Sequence, residues 1–525
     1  MRKLRAYLSL ARAVYVLMRE GVITALPDEG APPPVVMAKR VARLIRRRNA
    51  DAASQRKRLA NALVRLGPSW VKLGQFLATR PDLVGKSIAA DLEALQDRMD
   101  PFPVSEARKT LEATLGRPVG ELFTEFGEPV AAASIAQVHK AVVATDEGPK
   151  SVAVKIIRPG VRERFAWDLE TFYVAAHTLN RLVPDMRRLM LVESVDMLAE
   201  SARLEMELRL EAAAFSEMAD NTKDDPGFKL PKIDWQRTGR DCVTMEWIDG
   251  IKLSDVEALS QSPHDHKAMA KTLIQSFLNH AIRDGFFHAD MHPGNLFIDE
   301  DGNIVAVDLG ITGRLGRAEQ RFLAEILYGF IQRDYQRIAE VHFEAGYVPS
   351  HKDVASFAQA LRAVGEPIHG ATAREIHMAT LLSLLFDITE VFEMRTQPQL
   401  LLLQKTMVVV EGVARRLDPE FDMWEAAGPV VGPQATRLIG PLGVAEDARD
   451  GLKAAMQLLR QAPQLADRAH QFSKQVEAMG KNGVGLDEAT IEAIGKAEAR
   501  HSRSGRVALW VIAAGVVVMV WQSML

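Results

Sequence analysis

The stretch His288-Ala-Asp-Met-His-Pro-Gly-Asn295, followed by Asp308-Leu-Gly310, is the most specific part of the sequence. In phosphoryl transfer an aspartate orients or deprotonates the attacking oxygen, and an asparagine five residues later coordinates Mg²⁺. Asp290 and Asn295 have this spacing. Asp308 stands where the metal-binding aspartate of a kinase would follow, and a cation that bridges phosphates prefers such oxygen ligands. We therefore predict an ATP- and Mg²⁺-binding site in which Asp290 is catalytic and Asn295 and Asp308 hold the metal.

Lys155 ends a Val-Ala-Val-Lys strand upstream of this stretch and resembles the kinase lysine that binds the α- and β-phosphates. An unpaired lysine is costly to remove from water, so it needs a carboxylate from a neighbouring helix. Glu211 is the candidate partner. Glu205 and Glu207 lie on the same predicted helix and remain alternatives.

An alanine-rich stretch precedes the strand of Lys155, at the place of the kinase glycine-rich loop G-x-G-x-x-G-x-V. Alanines occupy all three glycine positions, and the valine is kept. Each alanine adds a Cβ and loses access to positive φ, so we expect a stiffer loop that covers the phosphates differently. The nucleotide-binding residues predicted here are Ala131, Ala133, Ser134, Ala136 and Val138.

The connection between the two predicted lobes is Met245-Glu-Trp-Ile248. Its backbone is expected to meet the adenine edge through the Glu246 carbonyl and the Ile248 amide, with Met245 as the gatekeeper.

The pattern along the chain is that of an α+β protein with a protein-kinase-like two-lobed fold. Residues 111–250 contain β-rich runs at 151–157 and 242–248 with helical patterns at 161–182 and 184–221, which predicts a small lobe with inserted helices. Residues 251–435 read as a helical second lobe.

One β-rich pair interrupts the helical lobe. The runs 295–298 and 303–307 flank the turn Asp299-Glu-Asp-Gly302, which predicts a hairpin just before Asp308.

The two ends of the chain lie outside this kinase-like part. Residues 1–110 are predicted to form a helical extension and residues 436–505 a helical tail. The 19 residues from Val507 to Leu525 carry no charge and are nearly long enough to cross a bilayer core of about 30 Å, so residues 506–525 are predicted to be a transmembrane anchor. Basic residues just before this segment favour a tail-anchored protein of the inner membrane with its globular body in the cytoplasm.

The N-terminus has apolar residues at helical spacing, interrupted by Arg5, Arg12 and Arg19, so it lacks the apolar core of a signal peptide. It predicts a basic amphipathic helix. Contact with a membrane surface and packing on the body of the protein are both open.

The composition excludes some other classes. A net charge of -3 argues against a general nucleic-acid binder, and the single cysteine, Cys242, rules out an intramolecular disulfide.

Two features separate the sequence from protein kinases. Ala289 replaces the arginine of the His-Arg-Asp motif, and only about seven residues separate Gly310 from a new helical pattern near Arg317. The segment that would dock a peptide is therefore missing. We therefore expect the phosphoryl acceptor to be water, a small molecule or a lipid. Alternatively, ATP binding and hydrolysis would act on a partner protein through a conformational change.

These motifs resemble those of the UbiB family of atypical kinases. Trp70-Val-Lys-Leu-Gly-Gln75 is similar to the KxGQ motif of that family, and the alanine-rich and catalytic stretches match as well. So does the segment from Gln397 to Thr406. The resemblance covers roughly residues 66–424.

The resemblance implies a protein-kinase-like fold whose KxGQ helix lies where a peptide would bind. Lys72 and Gln75 would then reach into the active site and restrain phosphotransfer. The ExD motif of the family appears as Glu205-Met-Glu207, with glutamate for aspartate. The family favours ATP hydrolysis over protein phosphorylation and is required for ubiquinone production. It is thought to help polyprenylphenol precursors in the membrane reach other ubiquinone biosynthetic proteins.

Three other functions stay open on the sequence. The protein could be a non-catalytic scaffold whose shape is set by nucleotide, a phosphotransferase for a small molecule or lipid, or a protein kinase. The four intact residues Lys155, Asp290, Asn295 and Asp308 favour ATP chemistry over the scaffold. The oligomeric state is not readable from the sequence.

Overall fold

The computed structural model describes residues 2–22, 24, 40, 42–43, 55–78, 80, 84, 88, 91–92, 99–182, 190–370, 388, 391–394 and 398–440. The chain divides into two units, Met1–Ile439 and Gly440–Leu525, and almost all of the second unit lies outside the described residues.

The small lobe is built on an antiparallel sheet of four strands in the order β1-β2-β3-β5. The bounds of these strands are β1 Glu125–Ala132, β2 Ala136–Thr145, β3 Gly148–Ile157 and β5 Cys242–Glu246. Alternate side chains of a strand point to opposite faces of its sheet. Val154 and Ile156 therefore pack into one core, and Lys155 between them points to the other side.

Two groups of helices cover this sheet. Helices α4 (Val104–Leu115) and α5 (Val119–Leu122) pack on the face of Val154. The face of Lys155 is covered by α6 (Val161–Leu182), α7 (Leu191–Glu205) and α8 (Leu208–Thr222). The sole cysteine, Cys242, is fully buried in the first of these cores, and burial raises the pKa of its thiol to about 12.

The helical pattern at 184–221 forms two helices in its described part, a difference from the single helix predicted there. The break lies at Met206 and Glu207. Arg162 donates a hydrogen bond to the Met206 carbonyl, and the Leu208 amide donates to the Arg240 carbonyl at 3.1 Å. Distant parts of the chain thus stabilise a break at which the sequence has no proline or glycine.

The N-terminal extension is helical where it is described: α1 (Arg2–Arg19), α2 (Gln55–Leu66) and α3 (Pro68–Ala78). Helix α1 packs on α6 and α2, as expected if this helix lies on the body of the protein. Tyr7 and Leu8, on its other side, are exposed. Gly67 joins α2 to α3 with a φ of 113°, which favours glycine, and a Cβ there would collide with the Arg164 guanidinium.

The larger lobe contains a second four-stranded sheet, in the order β4-β9-β8-β6, and a two-stranded ribbon of β7 and β10. The bounds are β4 Phe228–Lys229, β6 Ile251–Lys252, β7 Phe286–His288, β8 Leu296–Ile298, β9 Ile304–Ala306 and β10 Thr312–Arg314. Strands β8 and β9 are antiparallel and form the hairpin predicted around Asp299 and Gly302.

Helices form most of the rest of this lobe and pack around one large and one smaller apolar core. Their bounds are α9 Val256–Ser260, α10 His266–Leu278, a π-helix Asn279–Asp284, α11 Arg317–Gln332, α12 Tyr335–Glu344, α13 Val354–Gly370, α14 Pro398–Leu417 and α15 Met423–Ile439. Helix α11 begins at the residue where the sequence predicted a new helix.

Among the described residues, no helix combines the length and the apolar character needed to cross a bilayer. The predicted transmembrane anchor, 506–525, and all but the start of the predicted tail, 436–505, lie outside those residues.

Candidate active site

Lys155 is held between two carboxylates at the junction of the lobes. Its Nζ lies 2.7 Å from Oε1 of Glu211 on α8 and 3.0 Å from Oδ2 of Asp308, which follows the hairpin. The Lys155 and Glu211 side chains are only 13% and 5% exposed, whereas that of Asp308 is 39% exposed. Of the three glutamates considered from the sequence, Glu211 is the one that contacts Lys155.

The charges in this cluster fix its protonation. Burial by itself would lower the pKa of Lys155, but the negative charges of Asp308 and Glu211 outweigh it and raise that pKa above its ordinary value. Burial would likewise raise the pKa of Asp308, yet the Lys155 charge and the Gly310 amide hold it below the usual range. Lys155 is therefore a cation and Asp308 an anion near neutral pH.

Glu211 differs from Asp308 because burial dominates. Burial raises the pKa of Glu211, and the Lys155 charge only partly opposes this. Its carboxylate also accepts a hydrogen bond from the Leu309 amide. Glu211 thus connects the lysine of the small lobe to the backbone beside Asp308.

The loop that carries Asp290 and Asn295 follows strand β7. The Asn295 Nδ2 donates to the Asp290 carbonyl at 3.2 Å, and the Val307 amide donates to the Asn295 carbonyl at 2.9 Å. The second bond places Asn295 beside the strand that leads to Asp308. Because Nδ2 is used within the loop, the Oδ1 acceptor of Asn295 is available to a cation.

These residues fit Mg²⁺ bound together with phosphates, since that ion usually takes one or two protein ligands and completes its shell with phosphate oxygens and water. Among the described residues there is no cluster of three or more His, Cys, Asp or Glu side chains that could hold a metal without phosphate. Asn295 and Asp308 are the protein ligands predicted from the sequence, and their role in holding Mg²⁺ remains a prediction.

Two histidines shape the catalytic loop. His288 is buried, and its Nδ1 accepts a hydrogen bond from the Asp290 amide at 3.2 Å. Burial lowers the pKa of His288, so the ring is neutral near pH 7. His292 Nδ1 accepts a hydrogen bond from the Gly294 amide at 3.0 Å. Both rings organise the backbone on either side of Asp290.

The alanine-rich stretch forms the turn between β1 and β2. The Ala133 amide donates to the Ala136 carbonyl at 2.8 Å, and Ser134 is buried at the turn. Ala131, Ala133 and Ala136 all have negative φ, so alanine fits each position without strain. Val138 pairs with Ala131 on one side and with Lys155 on the other.

A short segment near the end of the N-terminal extension, residues 99–102, holds this turn in place, which the sequence did not reveal. The buried Gln137 side chain exchanges two hydrogen bonds with the Phe102 backbone, at 2.9 and 3.1 Å. The Met99 amide donates to the Ala132 carbonyl, and Arg158 donates to the Ala133 carbonyl. The available signal was Gln137, a polar residue within an apolar strand.

The structure places Glu246 at the end of β5, paired with Val152, and Ile248 two residues beyond it. The Glu246 side chain forms an ion pair with Lys150 at 3.2 Å. This is the strand end from which the chain leaves the small lobe. The contacts of Glu246 and Ile248 with adenine remain a prediction.

Lys72 and Gln75 lie on α3. Lys72 is buried and forms an ion pair with Glu205 at the end of α7, while Glu207 pairs with Arg209. Gln75 is half-buried. The contact of Lys72 is therefore with the first glutamate of the Glu205-Met-Glu207 motif, and restraint of phosphotransfer by Lys72 and Gln75 remains a prediction.

Comparison with known families gives two matches. Residues 94–342 match the ABC1 atypical kinase-like domain, and residues 361–422 match the UbiB helical domain. The first match contains Lys155, Glu211, Asp290, Asn295 and Asp308.

Curated relatives share most of the chain. A protein of Marinobacter nauticus named "Probable protein kinase UbiB" is 37% identical over 86% of this chain and 82% of its own. A protein of Cellvibrio japonicus with the same name is 35% identical over 90% of this chain and 85% of its own. A solved complex of Rv3197 with erythromycin from Mycobacterium tuberculosis aligns with 69% of this chain and 91% of its own, at 24% identity and a TM-score of 0.49.

Identity at this level over four fifths of each relative, together with both domain matches, establishes the relationship. The mixed helix and strand architecture is kinase-like, as the sequence predicted. The chain belongs to the ABC1/UbiB family of atypical kinases.

Proposed function

We propose that this protein is an Mg²⁺-dependent ATPase of the atypical kinase class that supports ubiquinone biosynthesis at the inner membrane. One observation carries the proposal: Lys155 Nζ lies within 3.0 Å of carboxylate oxygens of both Glu211 and Asp308, although Asp308 comes from the other lobe. Asp290 and Asn295 lie on the adjoining loop. This arrangement has the parts that kinases use to bind a nucleotide and its metal.

Each side chain has a separate part in this proposal. Lys155, held by Glu211, binds the α- and β-phosphates, because its ammonium group is charged near neutral pH. Asn295 and Asp308 hold Mg²⁺, which neutralises negative charge on the phosphates when it is bound. Asp290 accepts a hydrogen bond from the attacking oxygen and orients it toward the terminal phosphate.

Water is the proposed acceptor because the chain has no room for a peptide platform. Helix α11 begins at Arg317, shortly after Gly310, and residues 312–314 in between pair with β7. The backbone that would receive a peptide in a protein kinase is thus part of the ribbon beside Asp290.

ATP turnover would act on ubiquinone synthesis by giving polyprenylphenol precursors access to other biosynthetic proteins. The predicted tail anchor at 506–525 would hold the body against the bilayer in which these precursors dissolve. The names of the relatives support the assignment to the UbiB group.

The test is ATP hydrolysis by the full-length protein in liposomes, with nucleotide binding measured in parallel. Asp290→Asn should lower kcat at least about 100-fold with little change in nucleotide affinity, because general-base contributions are of that order. Asp308→Asn should abolish the Mg²⁺-dependent ATP turnover, because it removes one of the two proposed metal ligands. Asp301→Asn, in the exposed hairpin turn, is the matched control. Wild-type protein that binds no nucleotide would refute the proposal.

A second experiment separates the ATPase from the non-catalytic scaffold. Wild type and Asp290→Asn are expressed in a deletion strain that lacks ubiquinone. The ATPase requires that only the wild type restores ubiquinone. Full restoration by Asp290→Asn, at equal protein level, would favour the scaffold.

A further inference from the structure

The peptide group between Ala289 and Asp290 is held from both of its edges. Its N–H, on Asp290, donates to Nδ1 of His288 at 3.2 Å. Its carbonyl, on Ala289, accepts a hydrogen bond from Oγ1 of Thr406 at 2.9 Å. Since a peptide group is planar, these two bonds at its opposite edges restrain the orientation of that plane, in which the Cα of Asp290 lies.

Thr406 belongs to a distant part of the chain. It lies on α14, 117 residues after Ala289 and within the UbiB helical match, whereas Ala289 lies in the ABC1 match. Thr406 is 1% exposed and Ala289 is 4% exposed, so this hydrogen bond is shielded from water. A shielded bond of this kind is costly to lose because water cannot replace it.

The Thr406 hydroxyl has one proton and two acceptors within reach. The second acceptor is the Leu402 carbonyl of its own helix, at 2.8 Å. In an α-helix that carbonyl already receives the amide of the residue four positions later. The Ala289 carbonyl has no helix to satisfy it, so it depends more on the hydroxyl.

The residue at 289 explains why an outside anchor is useful. A protein kinase has an arginine there, which can tie the catalytic loop to a phosphorylated segment. Alanine has no such reach. The loop is held instead by Ile311, the residue before β10, whose carbonyl accepts a hydrogen bond from the Ala289 amide at 3.0 Å, and by Thr406.

We propose that Thr406 is a positioning residue for Asp290: its buried hydroxyl sets the plane of the Ala289–Asp290 peptide and so the direction of the catalytic carboxylate. The proposal rests on the ATPase proposed above. It assigns to the helical domain of the family a direct part in the active site of the kinase-like domain.

The experiment compares three variants of the full-length protein. Thr406→Val keeps the shape and removes the hydroxyl, and Thr406→Ser keeps the hydroxyl. Thr171→Val is the matched control, because Thr171 is equally buried and its hydroxyl reaches only the Trp167 carbonyl of its own helix among the contacts the structure describes. For each we measure kcat, nucleotide affinity, Tm and hydrogen exchange of residues 288–295.

Thr406→Val should lower kcat by about tenfold or more, since small misplacements of a catalytic group are costly. Nucleotide affinity should change less than about threefold, because Lys155 and Asp308 are untouched. Exchange in 288–295 should become faster. Thr406→Ser should stay close to wild type in kcat and exchange, and Thr171→Val should change neither.

Three results would overturn the proposal: Thr406→Val with wild-type kcat and exchange, a loss of kcat in Thr406→Ser as large as in Thr406→Val, or the same kinetic loss in Thr171→Val. If wild-type protein does not hydrolyse ATP, the ATPase proposal fails. Hydrogen exchange then decides by itself whether Thr406 fixes the loop.

Discussion

Lys155 donates a hydrogen bond of 2.7 Å to Glu211, although the two are 56 positions apart in the sequence, with two helices between them. Both side chains are largely withdrawn from water. A buried carboxylate that loses its cation is strongly destabilising, whereas replacing both partners by apolar groups is often tolerated.

Lys155→Met should therefore lower the free energy of unfolding by about 3 kcal/mol, because Glu211 is left buried without its cation. The double variant Lys155→Met/Glu211→Leu should recover at least half of this loss. Neither should bind nucleotide. Chemical denaturation and nucleotide titration check both statements. A double variant less stable than the single one would contradict the prediction.

The pair of Lys72 and Glu205 joins the N-terminal extension to α7, and both side chains are 11% exposed. Lys72→Met should loosen α3, which hydrogen exchange of residues 68–78 would record. The charge reversal Lys72→Glu/Glu205→Lys should restore protection, since it rebuilds the ion pair.

The same variants test the restraint of phosphotransfer. If docking of α3 restrains transfer, Lys72→Met should raise autophosphorylation and the charge reversal should lower it again. Equal autophosphorylation in all three proteins would contradict the restraint and leave the ion pair a structural contact.

Gln137 fastens the alanine-rich turn through the Phe102 backbone. Gln137→Met should lower the free energy of unfolding by about 3 kcal/mol, because it leaves a buried N–H and a buried carbonyl without partners. It should also weaken nucleotide binding if the turn covers the phosphates as the sequence predicts. Gln236→Met, at an exposed position, is the control. Unchanged exchange of residues 131–138 in Gln137→Met would speak against the fastening.

Stability should fall in weak acid because of His280. This residue is fully buried, and burial lowers its pKa to about 3. The unfolded chain takes up a proton below pH 6.5 and the folded protein does not until about pH 3. The contribution of His280 to the free energy of unfolding is therefore fully present above pH 6.5. It is lost as the pH falls, so that the free energy of unfolding is lower by about 2 kcal/mol at pH 5.

His280→Met should flatten the unfolding free energy between pH 6.5 and 5 relative to wild type. His351→Gln, at an exposed position, should leave the slope unchanged. Denaturation series at several pH values measure these slopes. If His280→Met kept the wild-type dependence of the unfolding free energy on pH, other titratable groups would be responsible for that dependence.

The parts of the site that could be read from the sequence depend on fixed local spacing. Asp290 and Asn295 share one loop, and Asp308 follows a hairpin whose turn residues are explicit. Apolar side chains alternate along the strand of Lys155, so that Val154 and Ile156 point to one face of the sheet and Lys155 points to the other. These features can be predicted because they follow from the local geometry of the chain, such as the alternation of side chains along a strand.

The parts that could not be read depend on contacts between distant residues. Glu211 was the candidate partner of Lys155 on the sequence, but Glu205 and Glu207 remained alternatives because one continuous helix was expected there. The break at Met206 instead puts Glu205 at the end of α7 and Glu211 on α8. That break is stabilised by Arg162 from another helix. The bond from Thr406 to Ala289 is likewise invisible locally, because a threonine within a helix ordinarily bonds to its own helix.

The buried Cys242 has a practical consequence. Because its thiol is shielded and stays protonated near neutral pH, it should not react with maleimides in the folded protein. A second cysteine introduced at an exposed position could then be labelled alone, without removing the native one. Two cysteines introduced in this way, one on α3 and one on the alanine-rich turn, could carry a fluorescent pair that reports the distance between them in a single molecule.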